Sequence, residues 1–298
     1  MKGKLRGINV AVIGGDHRAV FTAEELLNQA ARVRLVGHHT AVPGIQSLTE
    51  IDAGLKEADA VVFPLPGVSD DGYIYTPGSP LFLKEDDLAL LQEGTPVFTG
   101  FARGYLQELA NRLRLRIVEV ADRNDFAILN SIPSAEGAIQ LAMERLPITI
   151  HGSSAFVLGF GRVGTTLARM LGGIGAKITV VDRDAAQRAR ATEIGYRVCD
   201  FAGLPFIIHE ADIIFNTVPA MVLTARVIKN TRPEVLIIDL ATSPGGTDFE
   251  AAKSLNREAI LAPSLPGKVA PKTAGRILGQ VVADLLVQEK GLNLAVLP

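Results

Sequence analysis

Residues 151–171 read as an apolar strand ending at Leu158, a turn with glycines at positions 159, 161 and 164, and an amphipathic helix. A strand that passes through a glycine-rich turn straight into a helix commits the chain to a parallel, helix-covered sheet. Each glycine has its own task in such a turn. Gly159 permits the tight bend, Gly161 lets backbone approach a pyrophosphate, and Gly164 lets the helix lie close on the sheet while its first N–H groups face the phosphates. The turn residues Gly159, Phe160, Gly161, Arg162, Val163 and Gly164 are therefore candidate dinucleotide contacts. A second apolar strand, Lys177-Ile178-Thr179-Val180-Val181, ends in Asp182 at the spacing where an acid reaches an adenosine ribose. Asp182 favours NAD by accepting from the 2′-hydroxyl and repelling a 2′-phosphate. Arg183 follows directly and offers a salt bridge to that phosphate should Asp182 turn away, so NADP stays open.

The same alternation of strands and helices runs through the whole chain. Strands are expected at residues 8–16, 33–36, 60–65, 96–100 and 116–120, with a helix over 19–31, and again at 155–159, 178–182, 213–217, 235–240 and 259–262. The expected fold is α/β with two parallel-sheet domains: a flavodoxin-like, substrate-side domain over 1–127 and a Rossmann-type dinucleotide-binding domain over 128–271. A C-terminal helix over 272–298 is expected to return to the first domain. An apolar-periodic helix over 130–145 connects the two, with Ser134 and Glu136 placed to cap and charge its start.

Composition removes several function classes. The 298 residues carry 30 Lys and Arg against 32 Asp and Glu, with no basic run to follow a phosphate backbone, so nucleic acid is not an expected partner. No apolar stretch approaches bilayer length and the start leads into a strand rather than a signal helix, so a cytoplasmic chain is expected. The single cysteine, Cys199, forms no internal disulfide and reads as a structural thiol. The five histidines lack ligand spacing, so no metal is expected.

A dinucleotide domain joined to another α/β domain points to hydride transfer, in which the nicotinamide carries the chemistry and the protein supplies orientation. Thr217, Val218 and Pro219 follow one expected strand, and Ala241 and Thr242 follow the next, so both segments should border the nicotinamide. No histidine follows His209, which disfavours a simple alcohol oxidation with a histidine base, and no catalytic acid or base is assigned. The loop expected from Pro263 to Lys272 offers Ser264, Lys268 and Lys272, followed by Thr273, a set suited to holding an anion. Arg123, flanked by Asp122 and Asp125, is a further candidate for a bidentate grip on a carboxylate, or equally a brace where the first sheet ends.

The Gly14-Gly15-Asp16 turn, the connector Asn130-Ser131-Ile132-Pro133-Ser134-Ala135-Glu136-Gly137, the entrance His151-Gly152-Ser153, and the stretches from Asp239 to Phe249 and from Ala262 to Gly275 occur together here. In this combination the chain resembles the dipicolinate synthase A-subunit family over nearly its whole length. The resemblance implies oxidation of dihydrodipicolinate to dipicolinate, the spore-core calcium chelator, in the mother cell of endospore-forming bacteria. It also implies a flavoprotein-like partner, the B subunit of the synthase, and a cofactor usually described as NADP, against the NAD preference that Asp182 suggests. Aromatisation of a dihydropyridine supplies its own driving force, so a dedicated base is dispensable, whereas the two substrate carboxylates need partners. Arg123, Lys268 and Lys272, with helix-start groups at Ser134 and Thr273, are the candidates. Two alternatives remain open: another NAD(P)-dependent oxidoreductase acting on an amino or imino acid, and a non-catalytic dinucleotide-binding component of a complex. A homodimer is the default expectation.

Overall fold

A computed structural model of the protein describes residues 3–289. It divides into two units, one formed by the described residues up to Leu129 together with those from Ala270 onward, the other by Asn130–Val269.

The first unit runs β1 (Asn9–Ile13), α1 (Arg18–Asn28), β2 (Arg32–Val36), β3 (Ile45–Leu48), α2 (Ile51–Leu55), β4 (Ala60–Val62), β5 (Tyr73–Ile74), β6 (Leu81–Phe82), α3 (Glu85–Leu88), β7 (Pro96–Thr99), α4 (Gly104–Arg112) and β8 (Arg116–Glu119), then enters α5 (Asn124–Arg145). Its parallel sheet has the order β3-β2-β1-β4-β7-β8, and β5 and β6 form a separate antiparallel pair. The five strands expected from sequence take the flavodoxin-like order 2-1-3-4-5 among themselves. Ile45–Leu48 adds an unanticipated edge strand and makes the full order 3-2-1-4-5-6. Both faces of the sheet are covered. Val10 and Val12 of β1 pack into one core, while Ala11 and Ile13 pack into another, as the two-residue period of a strand requires.

The second unit continues from α5 through β9 (Ser154–Leu158), α6 (Arg162–Ile174), β10 (Lys177–Val181), α7 (Ala185–Glu193), β11 (Arg197–Cys199), α8 (Leu204–Ile207), β12 (Ile213–Asn216), α9 (Ala225–Ile228), β13 (Leu236–Asp239), α10 (Phe249–Ser254), β14 (Glu258–Leu261) and α11 (Leu265–Val269). Its six strands are parallel in the order β11-β10-β9-β12-β13-β14, the dinucleotide-binding order with the crossover point between β9 and β12. Ala155 and Val157 face one core, and Phe156 and Leu158 the other.

The chain then returns to the first unit as α12 (Pro271–Glu289), which packs along α1. Small residues set that approach. A Cβ on Gly275 would lie 2.4 Å from the Arg18 carbonyl oxygen and one on Gly279 would lie 2.7 Å from Glu25 Cβ. Thr22 Oγ1 is within 3.0 Å of the carbonyls of both Arg18 and Gly275 and donates there.

Two local expectations need correction. The connector helix does not start near Ser134. It is continuous from Asn124, with Pro133 inside it. Pro133 has no N–H to offer the Leu129 carbonyl four residues back. Ser134 Oγ donates to the next carbonyl, Asn130 O, at 2.9 Å, so Ser134 is a mid-helix residue bonded to its own helix rather than a cap. The loop expected from Pro263 to Lys272 contains α11, in which Lys268 sits. The part of the expected C-terminal helix beyond residue 289 lies outside the described residues.

Candidate functional site

The glycine turn after β9 has the division of labour that a dinucleotide demands. Gly159 has φ +88°, and a Cβ there would come within 2.5 Å of Thr217 Oγ1. A Cβ on Gly164 would stand 1.9 Å from the Gly159 carbonyl oxygen, so α6 reaches the turn only because that position lacks a side chain. Gly161 is different: it is exposed, and a Cβ on it would meet no protein atom within 4 Å. The space over Gly161 is thus left open by the protein, at the start of a 13-residue helix whose N-cap position, Gly161 itself, provides no side-chain cap. Backbone N–H groups and the positive helix end at an open glycine fit a pyrophosphate.

Asp182 follows β10, half-buried, and its carboxylate is already held. Oδ2 accepts from the Phe160 amide at 2.6 Å and Oδ1 from the Asp184 amide at 2.8 Å. Each oxygen keeps a lone pair for a ribose hydroxyl. Arg183 is exposed. Sequence reasoning passed over Arg188, whose Nη1 donates to the carbonyls of Asp182 and Arg183 at 2.8 Å each and pins the loop from α7. Phe160 contributes its amide to Asp182 while its ring is buried against Tyr196, with centroids 6.4 Å apart. Arg162 is exposed and Val163 half-buried in the first turn of α6.

The loops after β12 and β13 are tied to one buried carboxylate. Asp239 Oδ2 accepts from Asn216 Nδ2 at 3.0 Å, the Gly246 amide at 2.9 Å and Thr247 Oγ1 at 2.6 Å, and Oδ1 accepts from the Ala241 amide at 3.0 Å. Asn216 also brackets Val218, receiving its N–H and donating to its carbonyl. Thr217 Oγ1 donates to the Leu158 carbonyl at 2.9 Å, so its hydroxyl braces the glycine turn from below. Pro219 and Thr242 are exposed at the tips, and Ala241 is buried. The roles of Asn216 and Asp239 have no linear signature, because their partners lie on a neighbouring strand and a loop.

The anion-holding candidates are distributed over both units. Arg123 is clamped by Asp125 through Nε at 3.0 Å and Nη2 at 2.7 Å, a bidentate pair on the first-unit side of the chain. Those hydrogen bonds hold the Asp125 carboxyl below its ordinary range. Ser264 has φ +59° and precedes α11, which carries an exposed Lys268 in the second unit. Lys272 and Thr273 are exposed in the first turn of α12, in the first unit. Burial pushes the Cys199 thiol up, away from nucleophile behaviour. Among the described residues no group of three or more His, Cys, Asp or Glu side chains is arranged to hold a metal ion. Nor is any described helix long and apolar enough to cross a membrane.

Comparison with known proteins agrees with this geometry. Residues 9–121 match the N-terminal domain family of the dipicolinate synthase A subunit, and residues 134–243 match the NAD binding domain of D-isomer specific 2-hydroxyacid dehydrogenases. The chain is 38% identical over 289 residues to the dipicolinate synthase A subunit of Bacillus subtilis (strain 168), covering 95% of this chain and 97% of that protein. The crystal structure of the A subunit from Bacillus halodurans superposes with a TM-score of 0.90 at 35% identity, covering 95% of this chain and 98% of that one. The crystal structure of the corresponding Bacillus subtilis protein gives 0.89 at 37% identity, covering 98% and 99%. With its nicotinamide-binding domain the protein is an NAD(P)-dependent oxidoreductase. Matched along nearly its whole length, the chain belongs to the dipicolinate synthase A-subunit family.

Proposed function

We propose that the protein oxidises dihydrodipicolinate to dipicolinate with a nicotinamide dinucleotide, in the mother cell of a sporulating bacterium and alongside a flavoprotein-like second subunit. The observation that carries this reading is the near full-length relation to a dipicolinate synthase A subunit in a chain whose second unit has an open dinucleotide turn at Gly161. The ring loses one hydride and one proton and becomes aromatic. The oxidised nicotinamide, when bound, accepts the hydride, and the proton leaves to solvent.

The chain's own residues orient and hold. Gly159, Gly161 and Gly164 with the first turn of α6 receive the pyrophosphate. The Asn216–Asp239 pair fixes the loops carrying Thr217, Val218, Pro219, Ala241 and Thr242. Asp182, restrained by two amides, does not swing aside for a 2′-phosphate, which favours NAD over NADP despite the neighbouring Arg183. Lys268 in the second unit, with Ser264 as a neutral donor, and Lys272 in the first, with Thr273, each offer an exposed cation to a carboxylate. Arg123 serves only by exchanging Asp125 for a substrate carboxylate.

The test is nicotinamide reduction by the chain, alone and with its partner protein, on freshly generated dihydrodipicolinate and on a panel of amino and hydroxy acids. Reduction with dihydrodipicolinate is expected. Reduction confined to the panel would assign a different substrate, and activity of the pair that survives loss of Gly161 function in this chain would make it a non-catalytic component.

A further inference from the structure

The two six-stranded sheets repeat one plan. Counting the strands of each in chain order, both run 3-2-1-4-5-6. The same two backbone bonds tie their glycine turns in place. The Gly14 amide donates to the Val36 carbonyl at 2.9 Å and the Gly37 amide to the Leu48 carbonyl at 3.0 Å, just as Gly159 donates to Val181 at 2.8 Å and Asp182 to Cys199 at 3.2 Å. Gly14 and Gly159 also share a positive φ, +61° and +88°. The residues that follow β2 and β3 are thus the counterparts of those that follow β10 and β11, the side on which a dinucleotide fold seats its adenosine.

The phosphate end of this first copy is closed. Asp16 stands where the second unit has the open Gly161, and its carboxylate accepts from the Arg18 amide at 3.0 Å and from Arg18 Nε at 2.8 Å. The Gly15 amide donates to the Tyr75 carbonyl at 2.6 Å. A Cβ on Gly14 would stand 2.5 Å from Ile74 Cγ2 and 2.9 Å from that same carbonyl oxygen. The protein's own carboxylate and carbonyl therefore occupy the turn that elsewhere cradles a pyrophosphate.

The adenosine end is open. A cavity of about 460 Å³ lies between the residues that follow β2, the end of β3 and the connection from β5 to β6, within the size range of small-molecule sites. Leu48 and Leu81 give it an apolar part, and no Lys, Arg, Asp or Glu lines it. Its polar groups are His38, His39 and the hydroxyls, among them Ser47 and Thr49. His38 Nε2 lies 3.0 Å from the Gly15 carbonyl, which accepts only, so Nε2 carries the proton and Nδ1 of the neutral ring is an acceptor. Burial keeps that ring neutral by lowering its pKa. Ser47 Oγ accepts from the Thr40 amide at 3.2 Å, which leaves its own proton to donate. A charged ligand gives up hydration here and meets no opposite charge, while a purely apolar one leaves the imidazole and hydroxyls unpaired. An uncharged ring that carries both donors and acceptors uses the whole lining.

We propose that this cavity of the first unit is a ligand site of its own that binds an uncharged nucleoside, with His38 Nδ1, Ser47 and Thr49 as its hydrogen-bonding groups. It rests on the repeated plan and the cavity, and not on the reaction proposed above.

The experiment is calorimetric titration of the full chain with adenosine and, separately, with AMP, after saturation with NAD so that the dinucleotide turn of the second unit is already filled. One equivalent of adenosine is expected to bind, and AMP no more tightly, because the phosphate end is closed. Thr49→Trp and Ser79→Trp each place an indole at an exposed position of the lining. Each should weaken adenosine binding by about tenfold or more while NAD affinity stays parental. If one of these variants does not fold, the other decides. No adenosine binding at millimolar concentration, parental adenosine affinity in a folded tryptophan variant, or AMP binding at least about tenfold tighter than adenosine overturns the proposal, the last because it would mark a phosphate site. A chain that takes up no dinucleotide removes the reaction proposed above, and the tryptophan variants then decide the cavity by themselves.

Discussion

Gly161 and Gly164 stand three residues apart and constrain different properties. Since a Cβ on Gly161 meets no protein atom within 4 Å, Gly161→Val is expected to keep a near-parental Tm and to abolish dinucleotide binding. Gly164→Val forces a side chain onto the Gly159 carbonyl, with 1.9 Å available, and should cost stability by at least about 1–3 kcal/mol. Thermal unfolding and dinucleotide titration on both variants separate the two effects, and a Gly161→Val protein with intact affinity would move the cofactor elsewhere. Asp182 couples both roles, because its carboxylate accepts from the Phe160 amide and is also the proposed ribose acceptor. Asp182→Ala should lower kcat/KM for NAD more than for NADP, and Arg183→Ala should do the opposite if phosphate is the natural ligand. An unchanged ratio in both variants would place specificity outside this loop.

At the scale of elements, the contact of α1 with α12 depends on close approach. Gly275→Leu would drive a side chain into the Arg18 carbonyl and Phe21, and a loss of at least about 1–3 kcal/mol is expected in urea unfolding. Gly173, exposed inside α6 with nothing within 4 Å of a Cβ, provides the contrast: Gly173→Ala should stabilise by about 0.4–1 kcal/mol. These opposite signs come from residues with the same sequence appearance. Strands buried on both faces, such as Asn9–Ile13 and Leu236–Asp239, are legible in the sequence because they read as unbroken apolar runs. Ile45–Leu48 and Arg197–Cys199 are short edge strands with polar residues, and nothing in their pattern separates them from loops. Pro133 marks a helix boundary by local preference, yet α5 runs through it, since Pro133 is buried and Ser134 bonds the adjacent carbonyl. The dinucleotide turn is legible because its chemistry is local. The Asp239 network depends on groups from a neighbouring strand and a following loop that only the fold brings together.

For the whole molecule, acid stability has a calculable shape. Burial lowers the His38 pKa below its ordinary value, more than the contact of Nε2 with the Gly15 carbonyl at 3.0 Å raises it. The unfolded chain therefore takes up this proton first, so the contribution of His38 is complete above about pH 6.5 and is lost as pH falls from there toward the folded value. Asp16, also depressed in the folded state, contributes above the ordinary aspartate range and loses that contribution at lower pH still. Stability measured against pH should fall in two stages, the first by no more than about 1.4 kcal/mol per pH unit. His38→Gln should flatten only the first, and an unaltered profile would assign it to another group.

The return of α12 to the first unit also sets an order of events during synthesis. The α1 face at Phe21, Thr22 and Glu25 that receives Gly275 and Gly279 is made early, but its cover emerges only after the entire second unit. At about 5–20 residues per second this leaves an interval on the order of ten seconds on the ribosome. By its end the dinucleotide-binding unit has all its strands available to fold, while the unit that precedes it still lacks its last helix. A chain stalled before Pro271 thus presents an apolar flank to chaperones and proteases, and only translation through α12 closes the body that began first.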